Sequence, residues 1–557
     1  MEEKPWFKSY VPGVPRNIDY EKLTISQALT RSAKRFPNNT ALNYLGKRIT
    51  YKQLDSMVNQ FARALTDLGV KAGDTCAMIL PNLPQLEIFD LAAWRIGAVV
   101  STNNPLYTER ELAYQLNDAD AKVAITLSLL LPRIEKIWPE TKLEKVIGVN
   151  ISDYLTFPKK QLFPLVKKDM YRKVETSDTV FDFLKLINKY PDAPLEDKSK
   201  WDELAVLVYT GGTTGVSKGV MLSHKNLSVN VQQFRSWFPE LKDGEVSLIG
   251  TFPIFHTAGF TACQNFFIWA GWEHIMIPRP EPKAMIELIK KYRPDFLPGV
   301  PTIFVGLLAE SEFRKLDLTF IKGFFSGAAP LAPDTIRDLK ELTGGTMAEV
   351  YGLSETAPVA TVTPWGGVMK PGTVGVPVPD TDIKIVDLDT ATQELGPGEV
   401  GEIVISGPQV MMGYWHKPEE TKEMLRDGWV YTGDIGYMDD DGYLAVVDRK
   451  KDMIIAGGYN IYPVEIDDAL FDHPKILEAC CIGVPDPYRG ETVKAFVVLK
   501  PGETMTEDAV KAYCRERLAA YKVPATVEFV DDLPKSVVGK ILRRELRAME
   551  MEKMEKT

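Results

Sequence analysis

Residues 205–224 read AVLVYTGGTTGVSKGVMLSH, and the changes of character along this stretch decide the architecture. A short apolar run bounded by turn residues is the pattern of a buried strand. It opens into a loop of glycine and threonine (Thr210, Gly211, Gly212, Thr213, Thr214, Gly215) that closes on Ser217 and Lys218. Glycines let backbone N–H groups crowd around a polyphosphate, threonine hydroxyls add donors, and Lys218 adds positive charge. A Walker A loop needs its lysine followed directly by Ser or Thr, whereas Lys218 follows Ser217 and precedes Gly219, so that reading fails. The continuation GVMLSH reads as a second short strand, so no helix N-terminus supplies the phosphate site. Taken alone, the loop also reads as a plain surface turn.

Outward from this stretch, helical and strand signals alternate. Residues 26–35 and 52–68 carry apolar side chains at helical spacing, while 75–80, 123–127 and 246–252 are short apolar runs. This predicts an α/β fold with mainly parallel sheets covered by helices. From about residue 373 the texture changes to short β-rich segments (DIKIVDLDT, GEIVISG, GYLAVVDRK) separated by Gly, Pro and Asp turns. They predict a small β-barrel-like subdomain. After residues 448–452 helix and strand patterns return over about a hundred residues, the length of one compact α+β domain. The expected division is therefore a large domain over 1–447, with its β-subdomain over about 373–447, and a small domain over 448–557.

The chain has 557 residues, which at roughly 150 per domain corresponds to three to four structural units. Hydrophobic residues at 45% and charged residues at 25% exclude disorder and fibrous repeats as the main theme. A net charge of −10 argues against a nucleic-acid partner. Cys76, Cys263, Cys480, Cys481 and Cys514 are too scattered for a disulfide framework and contain no CxxC, which points to a reducing compartment. The N-terminus lacks the apolar core of a signal peptide, and the most apolar runs, 91–100 and 266–272, are too short to cross a bilayer. The expected location is the cytoplasm, with peripheral attachment to a membrane surface left open.

Four further segments follow the loop in order: VYGLSETAP (350–358), DGWVYTGDIGY (427–437), DRKKDMIIAGGYNIYPVEID (448–467) and PKSVVGKILRREL (534–546). Together with the loop they resemble the ordered signatures of the AMP-forming acyl-adenylate enzymes. The resemblance extends from STNNPLYTERELAYQLND (101–118) to Arg547, and residues 427–452 are similar to the signature of bacterial-type long-chain fatty acyl-CoA synthetases. It implies a large N-terminal domain with a small mobile C-terminal domain. The implied reaction is ATP-dependent ligation of a fatty acid, long or medium in chain, to coenzyme A through acyl-AMP.

A carboxylate is a weak nucleophile and is repelled by the triphosphate it must attack, so such an enzyme has to neutralise phosphate charge and align the reacting atoms. The resemblance implies that residues 210–215 and Lys218 embrace the β- and γ-phosphates, and that Glu355 is the acidic partner of Mg²⁺. It implies that Gly327, Ala328, Glu349, Tyr351, Gly352 and Ser354 form the nucleotide site, with adenine stacked on Tyr351. Asp434 would accept the ribose hydroxyls, and Arg449 would meet the ribose or α-phosphate with its donor fork. His256, in FPIFHTAGF, resembles the position near the acyl carboxylate, with a satisfied core histidine as the alternative. His224 reads as a helix-start residue. Lys540 would reach the carboxylate and α-phosphate. Lys451, two residues after Arg449, would be the hinge that turns the small domain, so that Gly457, Gly458 and Tyr459 line a passage for the coenzyme A arm.

The sequence departs from the pattern at Ser217, where many relatives have proline. No histidine pair has HExxH or another metal-ligand spacing. Residues 252–260, Phe266, Phe267 and 298–304 are apolar candidates for an acyl tunnel. Ligation of a short, branched or aryl acid and a non-catalytic nucleotide-binding relative stay open as other readings, as does the oligomeric state, a homodimer included.

Overall fold

A computed structural model describes residues 4–210, 217–327, 331–456, 459–486, 489–536 and 539–555 of the chain. Two compact units emerge, one of residues 1–382 with 405–430, the other of 383–404 with 431–557.

The first unit is built on two large sheets. One runs in the order Gly413–Tyr414, Lys218–Ser223, Leu204–Thr210, Val99–Thr102, Thr75–Ile79, Ala121–Leu127, Lys145–Val149 and Val180–Asp182. Its strands from Leu204–Thr210 onward pair in parallel. The segments Thr75–Ile79 and Val99–Thr102 are buried throughout, as a sheet covered on both faces requires. The other sheet joins Val359–Val362, Thr346–Gly352, Gly323–Ser326, Phe296–Gly299, Ser247–Gly250, Glu273–Met276 and Thr40–Tyr44, among others, again with a parallel centre. The expected α/β architecture is present.

Local sequence explains the helix starts. Ile25–Arg35, Tyr51–Asp67, Glu109–Asp118 and His224–Ser236 each begin on a reciprocal cap, made by Thr24 with Gln27, Thr50 with Gln53, Thr108 with Glu111 and Ser223 with Asn226. Each pair satisfies backbone donors that a helix N-terminus otherwise leaves unbonded. Phe266 packs against Phe234, Phe238 and Trp272 in an aromatic core, which accounts for its apolar character without any ligand.

The second unit carries the β-rich segments. Asp382–Val386, Gly401–Ser406, Trp429–Met438 and Leu444–Arg449 belong to one sheet, the last two strands pairing antiparallel. A further sheet of Tyr459–Ile461, Ile454–Ala456, Gly490–Leu499, Ile476–Asp486 and Thr526–Phe529 packs with the helices Pro463–Phe471 and Glu507–Arg515 around an apolar cluster. The chain closes with the charged helix Arg543–Glu555.

Candidate active site

In the first unit, Leu204–Thr210 and Lys218–Ser223 form an antiparallel hairpin in which Thr210 faces Lys218. Residues 218–223 are thus a strand, paired with the strand that enters the glycine–threonine segment. Gly211, Gly212, Thr213, Thr214 and Gly215 lie outside the described residues. Ser217 is tied down at the loop's exit: its hydroxyl accepts from Gln115 Nε2 at 3.2 Å and its carbonyl from Tyr114 Oη at 3.1 Å. Both donors come from Glu109–Asp118, so the helix in STNNPLYTERELAYQLND holds Ser217, the residue that stands where many relatives have proline.

Lys218 Nζ lies 5.1 Å from the centre of the Tyr414 ring, and the Tyr414 hydroxyl donates to Glu355 Oε1 at 2.6 Å. One aromatic side chain therefore touches both Lys218 and the carboxylate of YGLSETAP. Glu355 is only 7% exposed, in the single turn Ser354–Thr356 that follows the strand Thr346–Gly352. The neighbouring Ser354 hydroxyl lies 2.6 Å from that of Thr257, which joins this turn to the segment holding His256. That segment is fixed in turn by Asn82, which accepts from Ile254 N and donates to the carbonyls of Gly250 and Phe252. His256 is half-buried and caps the short helical turn after it, its Nδ1 accepting from Ala258 N at 3.3 Å. His224 opens its helix, fully buried with its ring edge-on to Trp94.

Gly323–Ser326 and Thr346–Gly352 are parallel neighbours, Ser326 opposite Glu349. Their carboxyl ends set Gly327 beside Val350, the residue before Tyr351, in the region where open α/β sheets bind ligands. A Cβ on Gly327 would stand 3.4 Å from the Val350 carbonyl oxygen. On Gly352 it would stand 1.7 Å from the Pro358 carbonyl oxygen, so only glycine fits there. Tyr351 is half-buried, and Ala328 lies outside the described residues. Glu349 is buried, and burial pushes its carboxyl up to about 7 against the opposing hydrogen bond from Leu331 N.

The second unit gathers another set. Asp434, 3% exposed, and Arg449 face each other across Trp429–Met438 and Leu444–Arg449, with Oδ1 2.6 Å from Nε. Lys450 next to it pairs with Glu402 at 3.0 Å. Lys451 follows, its carbonyl accepting from Arg547 Nη1 at 3.3 Å, and its pKa is lowered, chiefly by desolvation. Lys540 sits in a tight turn closed by Ser536 N donating to the Lys540 carbonyl at 2.8 Å, with Gly539 at φ +74°. A side chain is strained at that angle and glycine is not. The Lys540 pKa is lowered by desolvation and by the positive Arg449, against the pull of Asp434. Gly457 and Gly458 lie outside the described residues, and of Tyr459 only the backbone is described, in the strand Tyr459–Ile461.

Sequence reasoning passed over Tyr414 and Arg543. Arg543 is ion-paired with Asp467 and stands 4.0 Å from Asp448, the residue before Arg449. Nothing local marks either residue, because their partners are distant in sequence.

A single buried carboxylate suits Mg²⁺, which takes oxygen ligands and is commonly held by one or two carboxylates together with substrate phosphates. Glu355 is such a group.

Comparison with known proteins gives the family. The AMP-binding enzyme family matches residues 29–415, and the AMP-binding enzyme C-terminal domain matches residues 465–540. The Long-chain-fatty-acid–CoA ligase of Bacillus subtilis (strain 168) is 43% identical over 563 residues, with 99% of each chain aligned. The protein of that name from Escherichia coli O157:H7 is 38% identical, with 98% of each chain aligned. The crystal structure of ATP-bound MatB from Rhodopseudomonas palustris superposes with a TM-score of 0.82 at 31% identity, covering 95% of this chain and 99% of that one. On the extent of the family match and the identity along almost the whole chain, this protein belongs to the AMP-binding enzyme family.

Proposed function

We propose that the protein ligates a long- or medium-chain fatty acid to coenzyme A in two steps. The acid carboxylate attacks the α-phosphorus of ATP and pyrophosphate leaves, giving acyl-AMP. The coenzyme A thiol then loses its proton and attacks the acyl carbonyl, and AMP leaves with the carbonyl–oxygen electron pair. No acyl-enzyme forms, so no nucleophilic Ser or Cys is required. The observation that carries the reading is that one side chain, Tyr414, contacts both Lys218 and Glu355.

In this reading Lys218 and the loop hold the β- and γ-phosphates, while Gly327, Glu349, Tyr351, Gly352 and Ser354 surround the base. Mg²⁺, when bound at Glu355, neutralises phosphate charge. Asp434 accepts the ribose hydroxyls, and Arg449 meets the ribose or the α-phosphate. His256 stands near the acyl carboxylate, Lys540 stabilises charge as the adenylate forms, and Lys451 is the pivot between the two steps. The protein works in the cytoplasm and meets membranes from their surface. Among the described residues no helix is long and apolar enough to cross one.

A chain-length series of acid-dependent AMP release tests the substrate. Each buried methylene contributes roughly 0.8 kcal/mol, about fourfold in kcat/KM, until the pocket is full. Activity should rise from hexanoate toward dodecanoate. A maximum at acetate, or at benzoate with no response to alkyl length, rejects a fatty acid while leaving the ligase chemistry in place. Absence of acid-dependent ATP–pyrophosphate exchange rejects catalysis altogether.

A further inference from the structure

Away from the nucleotide-binding segments, one surface of the first unit combines exposed apolar side chains with uncompensated positive charge. Residues 157–173 read FPKKQLFPLVKKDMYRK. The helix Lys159–Val166 inside this segment has no buried residue. Phe157 is 82% exposed, Leu165 67% and Val166 71%, and Leu162 and Met170 of the same segment are exposed as well. Single apolar side chains on a surface need no explanation, but a cluster of large ones does. The same segment carries six Lys or Arg against one Asp, on a chain whose net charge is −10. Lys160 donates to the Asp153 carbonyl and Lys173 pairs with Glu175, but among the described residues Lys159, Lys167, Lys168 and Arg172 have no carboxylate partner. Next to the helix lies an open groove of about 690 Å³, its lining including apolar Leu155 and Phe163, the cations Lys159, Lys167 and Lys291, and one carboxylate, Glu287.

Apolar side chains flanked by cations match one kind of surface closely, the boundary between acyl chains and anionic headgroups. An acidic protein partner would answer the lysines but leaves Phe157, Leu165 and Val166 without a reason to be exposed together. The helix has only eight residues and Pro164 within it, so it can lie in an interface but not cross a membrane. We propose that residues 157–173 are the surface by which this protein docks on an anionic phospholipid bilayer. Phe157, Leu165 and Val166 enter the acyl boundary, and the lysines meet headgroup phosphates. The inference gives the proposed membrane contact a location and rests on that reading. Long-chain acids partition into the same bilayer, so docking brings the enzyme to where its substrate is concentrated.

Flotation of the full-length protein with phosphatidylcholine vesicles, with and without phosphatidylglycerol, tests it. The expected result is binding to the phosphatidylglycerol vesicles, weakened by salt, and little binding to the neutral ones. Each cation near an anionic surface contributes about fivefold in partitioning, so Lys159→Gln/Lys167→Gln/Lys168→Gln should bind roughly a hundredfold more weakly. Leu165→Ser/Val166→Ser should also lose binding. Ligation of octanoate, which is monomeric in water, should be unchanged in both variants and reports that they are folded. Wild-type vesicle binding by both variants overturns the proposal. So does no binding to either vesicle, which would leave the surface to an acidic protein. If the wild type binds vesicles but turns over no acid, the ligase reading fails and the docking surface stands.

Discussion

Replacing Tyr414 by Phe removes one oxygen and leaves the ring. The hydroxyl donates to Glu355 Oε1 at 2.6 Å, while the ring lies 5.1 Å from Lys218 Nζ. The variant therefore keeps the aromatic neighbour of Lys218 and deletes the hydrogen bond that orients the carboxylate. A hydrogen bond to a charged group contributes about 1.5–3 kcal/mol, which converts to roughly 10- to 150-fold. With Glu355 acting on the metal-bound triphosphate, the loss should appear in acid-dependent ATP–pyrophosphate exchange as a raised Mg²⁺ requirement. Formation of acyl-CoA from synthetic acyl-AMP should be spared, because no triphosphate takes part. A double-mutant cycle locates the effect: in a Glu355→Gln background, Tyr414→Phe should change exchange by less than about twofold, since the interaction is already gone. Wild-type exchange in Tyr414→Phe, or the same loss in both backgrounds, refutes the reasoning. Urea unfolding gives the remaining control, because a loss of stability with an unaltered Mg²⁺ requirement makes the bond structural only.

Lys540→Ala should slow acyl-AMP formation about 10²–10³-fold, as loss of one donor to developing charge typically does, while thiolysis of supplied acyl-AMP stays near normal; equal losses in both half-reactions would assign Lys540 to folding or domain closure in general. Lys451→Pro fixes one backbone angle and removes an N–H, so acyl-CoA output should fall more than adenylate formation, and wild-type rates in both steps would remove Lys451 as the pivot. Glu349 has its folded pKa raised to about 7 from 4.5, so the folded state holds its proton more tightly than the unfolded chain does. The resulting stability, about 3 kcal/mol, is fully present below pH 4.5 and is lost as pH rises through 7. Urea unfolding of the nucleotide-free protein across that window should show the slope, and Glu349→Gln should flatten it; an unchanged slope in the variant assigns the pH dependence to other groups.

How much of this could be read from the sequence depended on whether the chemistry is local. A phosphate loop needs consecutive backbone donors between two strand ends, so it is written as one contiguous stretch, and its hairpin lies within a residue of the expected strand. The helices expected over 26–35 and 52–68 form as Ile25–Arg35 and Tyr51–Asp67, because apolar spacing along one helix face is local as well. Phe266 was not legible: an apolar residue reads the same whether it walls a tunnel or fills an aromatic core.

The sequence by itself determined the order of the signature segments and the α/β alternation. These rest on spacing along the chain. Only the tertiary structure decided that Tyr414, 59 residues from Glu355, caps it, that Thr257 meets Ser354 across 97 residues, and that Arg543 joins Asp467 across 76. It also decided that residues 383–404 cluster with 431–557 and not with the segments on either side of them. Such partners are set by which strands become neighbours in a sheet, and strand pairing is settled by burying apolar faces over the whole domain, a choice that no short stretch of sequence records.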